Sequence, residues 1–359
     1  MTIKIKNQIK DTNWQEYDTH GVPFLEFEFF NQLEQSKCVG SAAGWEGLYF
    51  EEDEKSLLYS FAKTNSYGEY IFDWDWANFY HQNGLDYYPK LTSMIPFTSA
   101  TSPHFLGERS VRLMENYEDY YLQNNYSSSH FLFLVKNELE FFQSFDYLIR
   151  ESFQYHFFNN NYDSFEDFLI TLKNKKAKQI RKERSFSQNI KFHNYTGEEI
   201  IPEHALRMYE FYRNTMMNKN AISYISKEFF INIFKKLKSN ICYIEAIEEN
   251  EPFAGALYFF GTNHLYGRYW GSTRNISNIH FELCYYQGID FCIKKGLSVF
   301  EAGAQGEHKI ARGFRPVKTY SAHKLKIPNT HQAIRSYIQY EKADINQIIP
   351  ELKKRLPFK

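Results

Sequence analysis

The sequence predicts a mixed α/β protein in which one unit, a mixed sheet flanked by helices, is built twice in tandem. Residues 58–70 (LYSFAKTNSYGEY) align without a gap onto 257–269 (LYFFGTNHLYGRY), sharing Leu58/Leu257, Tyr59/Tyr258, Phe61/Phe260, Tyr67/Tyr266, Gly68/Gly267 and Tyr70/Tyr269. The echo extends both ways: Glu51-Glu52-Asp53-Glu54 reappears as Glu248-Glu249-Asn250-Glu251, and Leu85-Asp86-Tyr87-Tyr88 as Leu283-Cys284-Tyr285-Tyr286. A chain of 359 residues also exceeds one ordinary core and suits two units of roughly 150–200 residues. The boundary is expected near residue 150, giving halves 1–150 and 151–359.

Each element follows from local pattern. Residues 109–124 have helical character, 124–129 form a polar loop, and His130–Val135 reads as a strand. The aromatic run FQYHFFNNNY (153–162) ends where Ser164 and Asp167 can cap a helix. Its apolar positions are Phe165, Phe168, Leu169 and Leu172, and its character changes at Lys173. Residues 241–247 and 254–260 are rich in β-branched, aromatic and small apolar types around a turn at 248–252, so they predict a hairpin. Leu265–Trp270 alternates, with Tyr266, Arg268 and Trp270 on one face and Gly267, Tyr269 and Gly271 on the other. Leu283, Tyr286, Ile289 and Ile293 then fall at helical spacing, with Gly296 as the stop. A short strand, Leu297–Phe300, runs into EAGAQGEHK, and the tail from Thr330 reads as one or two amphipathic helices.

Composition excludes several classes. With 42 basic and 43 acidic residues the chain is not a general polyanion binder, so a charged partner needs a local patch. Cys38, Cys242, Cys284 and Cys292 have neither CxxC pairing nor zinc spacing and are expected as buried thiols of a cytoplasmic protein. No window approaches the ~18 apolar residues that span a bilayer, so no transmembrane segment is expected. HExxH, GxSxG, Walker and GxGxxG patterns are missing, which argues against metalloprotease, hydrolase, nucleoside triphosphatase and dinucleotide chemistry; no metal is expected.

Three segments can carry chemistry. In 301–313 (EAGAQGEHKIARG), Gly303, Ala304 and Gly306 clear side chains away from the backbone, and Glu307, His308 and Lys309 follow. This pattern sets a carboxylate or imidazole base beside exposed amide donors, as acyl transfer to an amine requires. Glu307 and His308 are therefore the expected catalytic residues, either serving as base; a Gly-rich strand-to-loop turn whose charges face water gives the same letters. In the first half, Glu69, Asp73, Trp74, Asp75 and Trp76 alternate acids with rings, and Lys90 follows. Rings and acids in such order can line a groove for a sugar or an amine; tryptophans anchoring a loop give the same letters. Residues 173–184 (KNKKAKQIRKER) hold seven Lys or Arg and one Glu, so Lys175, Lys178, Arg181 and Lys182 are expected to meet phosphates. A solvated helix face explains that segment too. The remaining expected binding residues are Tyr67, His156, Arg268, Trp270, His280, Glu282, Tyr286, Gln305, Lys309 and Arg312.

SYGEYIFDWDWANFY (66–80), LDYYPKL (85–91), IPFT (95–98), FQYHFFNNNY, KKAKQIRKER, LYGRYWGS (265–272), HFELCYYQGIDF (280–291), EAGAQGEHKIARGF and TYSAH (319–323) together resemble the bacterial FemAB-like family of the GNAT superfamily. The match covers most of 20–359; Phe157 and His104 depart from it, standing where tryptophan and arginine are expected. The resemblance implies tandem GNAT-like acyltransferase domains acting in peptidoglycan biosynthesis or recognition. It implies an amide formed on a small-molecule or peptide amine, with aminoacyl-tRNA or an acyl-CoA as donor and tRNA as a partner. A precursor- or RNA-binding protein without chemistry is the alternative. The Q/R-x-x-G-x-G/A pyrophosphate loop of acetyl-CoA users is lacking at 270–279 and 73–84. The first half is expected to recognise and the second to react.

Overall fold

A computed structural model describes residues 3–53, 55–71, 73–185 and 189–359; Glu54 of the acidic turn and Phe72 of the SYGEYIFDWDW motif lie outside the described residues. The chain divides into two compact units. The first comprises Met1–His20, Leu25–Phe153 and Lys318–Ile348; the second comprises Gly21–Phe24, Gln154–Val317 and Ile349–Lys359. The segment 318–348, which a simple cut near residue 150 gives to the second half, thus clusters with the first unit.

In chain order the first unit contains β1 (Ile3–Lys6), α1 (Phe27–Gln35), β2 (Trp45–Glu52), β3 (Ser56–Lys63), α2 (Trp74–Gln82), β4 (Lys90–Ser93), β5 (Phe105–Gly107), α3 (Val111–Gln123), β6 (Ser128–Leu132) and α4 (Leu139–Ser144). The strand β7 (Leu148–Phe158) follows, and then α5 (Phe165–Ile170), α6 (Asn174–Ser185), β8 (Lys191–Thr196), α7 (Pro202–Asn218), α8 (Lys227–Lys236), β9 (Ile241–Glu248), β10 (Glu251–Phe260) and β11 (His264–Ser272). After α9 (Ile279–Phe281) comes a π-helical turn, Glu282–Tyr286, and then α10 (Gln287–Lys294), β12 (Val299–Glu301), β13 (Arg315–Leu325) and α11 (Pro328–Lys354).

The duplication is written in the pairing. In the first unit β1, β2, β3 and β4 pair antiparallel in sequence, β4 pairs parallel with β6, and β6 pairs antiparallel with residues 321–325 of β13. In the second, β8, β9, β10 and β11 repeat the antiparallel run, β11 pairs parallel with β12, and β12 pairs antiparallel with residues 156–158 of β7. The first unit therefore takes its sixth strand from near the end of the sequence, whereas the second takes its sixth from residues 156–158, at the start of its own main span. The parallel step needs a crossover, which α3 supplies between β4 and β6 and residues 279–294 supply between β11 and β12. In the first unit α3 packs Leu113, Met114, Tyr117 and Tyr121 with Leu48, Phe50, Leu58, Leu91 and Phe131 of the sheet, burying one stripe of an amphipathic helix. Its start is fixed by Ser110, whose side chain accepts the Leu113 amide.

Several expected elements differ in detail. Residues 73–84 form a helix, α2, rather than a loop: Asp73 stands at its N-cap, and Trp76 and Tyr80 bury one face beside Tyr87, Leu148, Ile334 and Ile338. The helix capped by Ser164 stops at Ile170, and α6 begins afresh at Asn174. The strand expected at 130–135 lies at Ser128–Leu132. Strict alternation on β11 fails at Arg268, because Leu257 pairs with Tyr269 and Tyr258 with Gly267, leaving Arg268 as the extra residue of a bulge. The echo in the sequence holds for the hairpins, since β2–β3 and β9–β10 match. It does not hold downstream: Tyr67 and Gly68 form a turn where Tyr266 and Gly267 are strand, and 85–88 has no regular structure where 283–286 is π-helical. The tail is one helix, α11.

Candidate active site

The second unit gathers its polar side chains where β12 ends. After Glu301 the backbone enters 302–306, with Gly303 at φ 85° and Gly306 at φ 112°, values that side chains with a Cβ resist. At Gly306 a Cβ would also lie 2.6 Å from the His308 ring. The amides of Gly303, Ala304, Gln305 and Gly306 donate to no described residue, so this run of N–H groups is left for another acceptor. A 3-10 turn, Glu307–Arg312, then folds back. Lys309 is buried and its ammonium donates to the Gly303 carbonyl at 2.7 Å, pinning the loop. Burial lowers its pKa to about 8.

Arg312 locks the turn from below. Its guanidinium donates to Tyr286 Oη at 3.0 Å, Glu183 at 2.8 Å and the His308 carbonyl at 2.9 Å, and it lies 3.6 Å from the Phe281 ring centroid. Tyr286 in turn donates to Glu183. His308 is exposed, with Nε2 2.8 Å from the Tyr285 hydroxyl. Partial burial, with Arg312 and Lys309 nearby, lowers its pKa, so the imidazole is neutral at pH 7. Glu307 is 62% exposed and paired with Arg355 at 2.8 Å. Of the two expected catalytic residues, His308 thus has the free base form and Glu307 a solvated ion pair. Gln305 is exposed.

Three other expected binding residues lie in packed, internally paired settings. Glu282 is buried and held by both branches of Arg184 and by Gln287. His280 packs edge-on to Trp270 with ring centroids 4.6 Å apart, and burial lowers it to about 4. His156 lies in β7, lowered to about 3 by burial, with Nε2 3.2 Å from Gln154 Oε1. A carboxyl that sequence reasoning passed over lies beside it. Glu301 closes β12 with Oε2 4.0 Å from His156 Nε2 and Oε1 3.9 Å from His264 Nε2. Burial raises it to about 8 against the pull of Arg268. An acid ending an otherwise apolar strand, Leu297 to Phe300, was the available signal.

In the first unit the acid and tryptophan cluster is internal. Lys90 is buried, with Nζ 2.5 Å from Asp73 Oδ2, 2.8 Å from Glu69 Oε2 and 2.8 Å from Ser66 Oγ. Burial works to lower Lys90, but Glu69 and Asp73 outweigh it and raise it, as fits a paired buried ammonium. Lys63, 3.9 Å from Glu69 and 3.4 Å from the Trp45 ring centroid, is lowered to about 7 by burial. Asp73 also accepts from Tyr87 at 2.7 Å, and a buried pair, His130 and His323, meets Nδ1 to Nδ1 at 2.8 Å. Trp76 packs edge-on to His323. Tyr67 and Trp74 are the outward members, 44% and 45% exposed with rings 5.8 Å apart. On α6, Arg181 pairs with Glu166 and Arg184 with Glu282, whereas Lys175, Lys178 and Lys182 are exposed on one face without an ion pair to a described residue. Among the described residues no cluster of His, Cys, Asp and Glu can hold a metal, and no helix is long and apolar enough to cross a membrane.

The model of the FemAB-like family, described as peptidoglycan biosynthesis/recognition, matches residues 5–359. No curated protein matches. Among solved structures, FemX is similar at 9% identity and a TM-score of 0.55, covering 93% of this chain and 100% of its own. The C-terminal domain of a putative lysylphosphatidylglycerol synthetase from Agrobacterium fabrum is similar at 7% identity and a TM-score of 0.55, covering 89% and 94%. L-PGS from Bacillus licheniformis is similar at 12% identity and a TM-score of 0.52, covering 86% and 95%. At these identities the likeness is one of fold, and it agrees with the mixed α/β architecture of a mixed sheet flanked by helices.

Proposed function

This chain belongs to the FemAB-like family, and from that premise we propose that it is a transferase that forms an amide on an amine acceptor, drawing an acyl or aminoacyl group from an activated donor. The observation that supports this reading best is the run of unspent amides from Gly303 to Gly306, fixed by Lys309 on the Gly303 carbonyl at 2.7 Å. When an amine attacks an acyl carbon, charge gathers on the carbonyl oxygen, and preorganised N–H groups are worth about 2.7–4 kcal/mol for each donor used. The attacking nitrogen must shed a proton, which neutral His308 accepts, with Glu307 and the Tyr285 hydroxyl beside it. Lys309 and Arg268 supply positive charge for anionic parts of the substrates.

The family description favours a peptidoglycan precursor as acceptor. Aminoacyl-tRNA is the donor that best suits Lys175, Lys178 and Lys182, three exposed cations spaced along one helix face. The first unit then recognises the acceptor, with Tyr67 and Trp74 as its exposed rings. Calorimetry tests the donor: tight binding of CoA contradicts the tRNA assignment and favours an acyl-CoA N-acyltransferase. The chemistry is tested by H308Q, E307Q and the double variant. The single H308Q is expected to lower kcat about 10²-fold or more; transfer by the double variant at the wild-type rate refutes the assignment.

A further inference from the structure

Glu301 has no part in the steps above, yet its setting is unlike that of the other buried carboxylates of its unit. Glu245 and Glu282 each meet an arginine. Glu301, 6% exposed, meets an imidazole on each oxygen instead, at 4.0 Å (His156) and 3.9 Å (His264). Neither oxygen makes a hydrogen bond among the described residues. The placement is set by the sheet: Glu301 stands directly opposite His156 of β7 and Tyr266 of β11, with His264 two residues along β11. From β12 the chain passes at once into the amide loop, so the carboxyl sits at the root of the segment that holds the acyl group. His156 is buried, whereas the His264 side chain is 40% exposed and opens a path to water.

Resting on the transferase reading, we propose that Glu301 is the general acid of the reaction, giving its proton to the oxygen or sulfur that leaves the acyl carbon. The balance is closed. A C–N bond forms and a C–O or C–S bond breaks; the proton of the attacking amine goes to His308, and the proton of Glu301 goes to the leaving atom. Glu301 is then reprotonated from water by way of His264, and His308 returns its proton to water. The groups facing the carboxyl are His156 from β7, and His264, Tyr266 and Arg268 from β11. His156 and His264 are both lowered by burial and stay neutral, so Arg268 is the standing cation near it. With Glu301 raised to about 8 by burial and His308 lowered, the acid holds its proton and the base lacks one at pH 7. Environments that push two groups apart in this way assign acid and base.

The test is E301Q, which keeps volume but has no acidic proton, assayed with two donors. One is an aminoacyl ester of tRNA, whose alkoxide leaves poorly; the other is the thiophenyl ester of the same amino acid, whose thiolate leaves unaided. The expected result is a fall of about 10²–10³-fold in kcat with the tRNA ester and less than about threefold with the thiophenyl ester. Wild-type kcat with the ester is expected to decline above about pH 8, and E301Q to lose that limb. Equal losses with both donors, or no loss, overturn the proposal. An infrared difference spectrum of wild type against E301Q at pH 7 separates this from failure of the transferase reading. A protonated carboxyl without amide formation by the wild type refutes the transferase reading; an ionised carboxyl refutes the acid.

Discussion

At the scale of single residues, burial decides what each charge does. Glu301 and Lys90 are both buried side chains, but Lys90 is met by Glu69 and Asp73 within 2.8 Å, while among the described residues no Lys or Arg makes an ion pair with Glu301. Lys90 stays a charged ammonium and Glu301 a neutral carboxyl at pH 7. The consequence for stability has a definite sign. Folding raises the Glu301 value from the ordinary 4.5 to about 8, so the native state holds a proton that the unfolded chain gives up. Its contribution is fully present below about pH 4.5 and is lost as pH rises through 8, by an amount on the order of 5 kcal/mol at the limit. E301Q is expected to flatten this slope, which urea denaturation at pH 5 and pH 9 would show; an unchanged slope means the carboxyl titrates normally. Lys90→Met leaves Asp73 without its cation and Glu69 with Lys63 alone at 3.9 Å, and is expected to cost about 3–5 kcal/mol in the same assay.

At the scale of elements, the sequence was legible where local chemistry sets the outcome. Ser164 caps α5, Gly296 ends the helix before β12 with φ 66°, and the β9–β10 hairpin lies where its turn residues put it. The misreadings arose where tertiary packing chose. Asp73-Trp74-Asp75-Trp76 looks like a polar loop, yet Trp76 and Tyr80 fall one turn apart and bury together, so the segment coils as α2. The bulge at Arg268 leaves no mark in the letters, since it depends on the neighbouring strand. The candidate site was half legible. The glycines and the Glu-His-Lys of 303–309 mark the candidate loop, but only the fold reveals that Glu307 pairs with Arg355 and that Glu301 is buried between imidazoles. On α6, Lys175, Lys178 and Lys182 make a separable test. Changing all three to Glu is expected to weaken tRNA binding and to make the log-log salt slope shallower by about 2, near 0.7 for each lost phosphate contact; an unchanged slope removes α6 from the tRNA surface.

At the scale of the molecule, both units run six strands in one order, and the first takes its last strand from residues 321–325, far along the sequence from the rest of that unit. The first unit needs residues 318–325 beside β6, where Ala322 and His323 stand opposite Phe131 and His130. A chain ending at Val317 lacks that strand and the cover of α11 on Trp76. Hydrogen exchange of this truncated chain is expected to show lost protection in β4 and β6; native protection there would mean the first unit folds without its sixth strand. The repeat in the sequence pointed to the duplication through its hairpins alone, because the segments after them fold differently in the two units.

The central claim is that the loop following β12 transfers an acyl or aminoacyl group to an amine. It is tested most directly by incubating the wild type and the H308Q/E307Q variant with a peptidoglycan precursor peptide and either aminoacyl-tRNA or acyl-CoA, then reading the product by mass spectrometry. The account predicts a peptide heavier by one acyl or aminoacyl unit, joined through an amide, from the wild type and little or none from the variant. No amide product from the wild type with either donor, or equal product from both proteins, would contradict it.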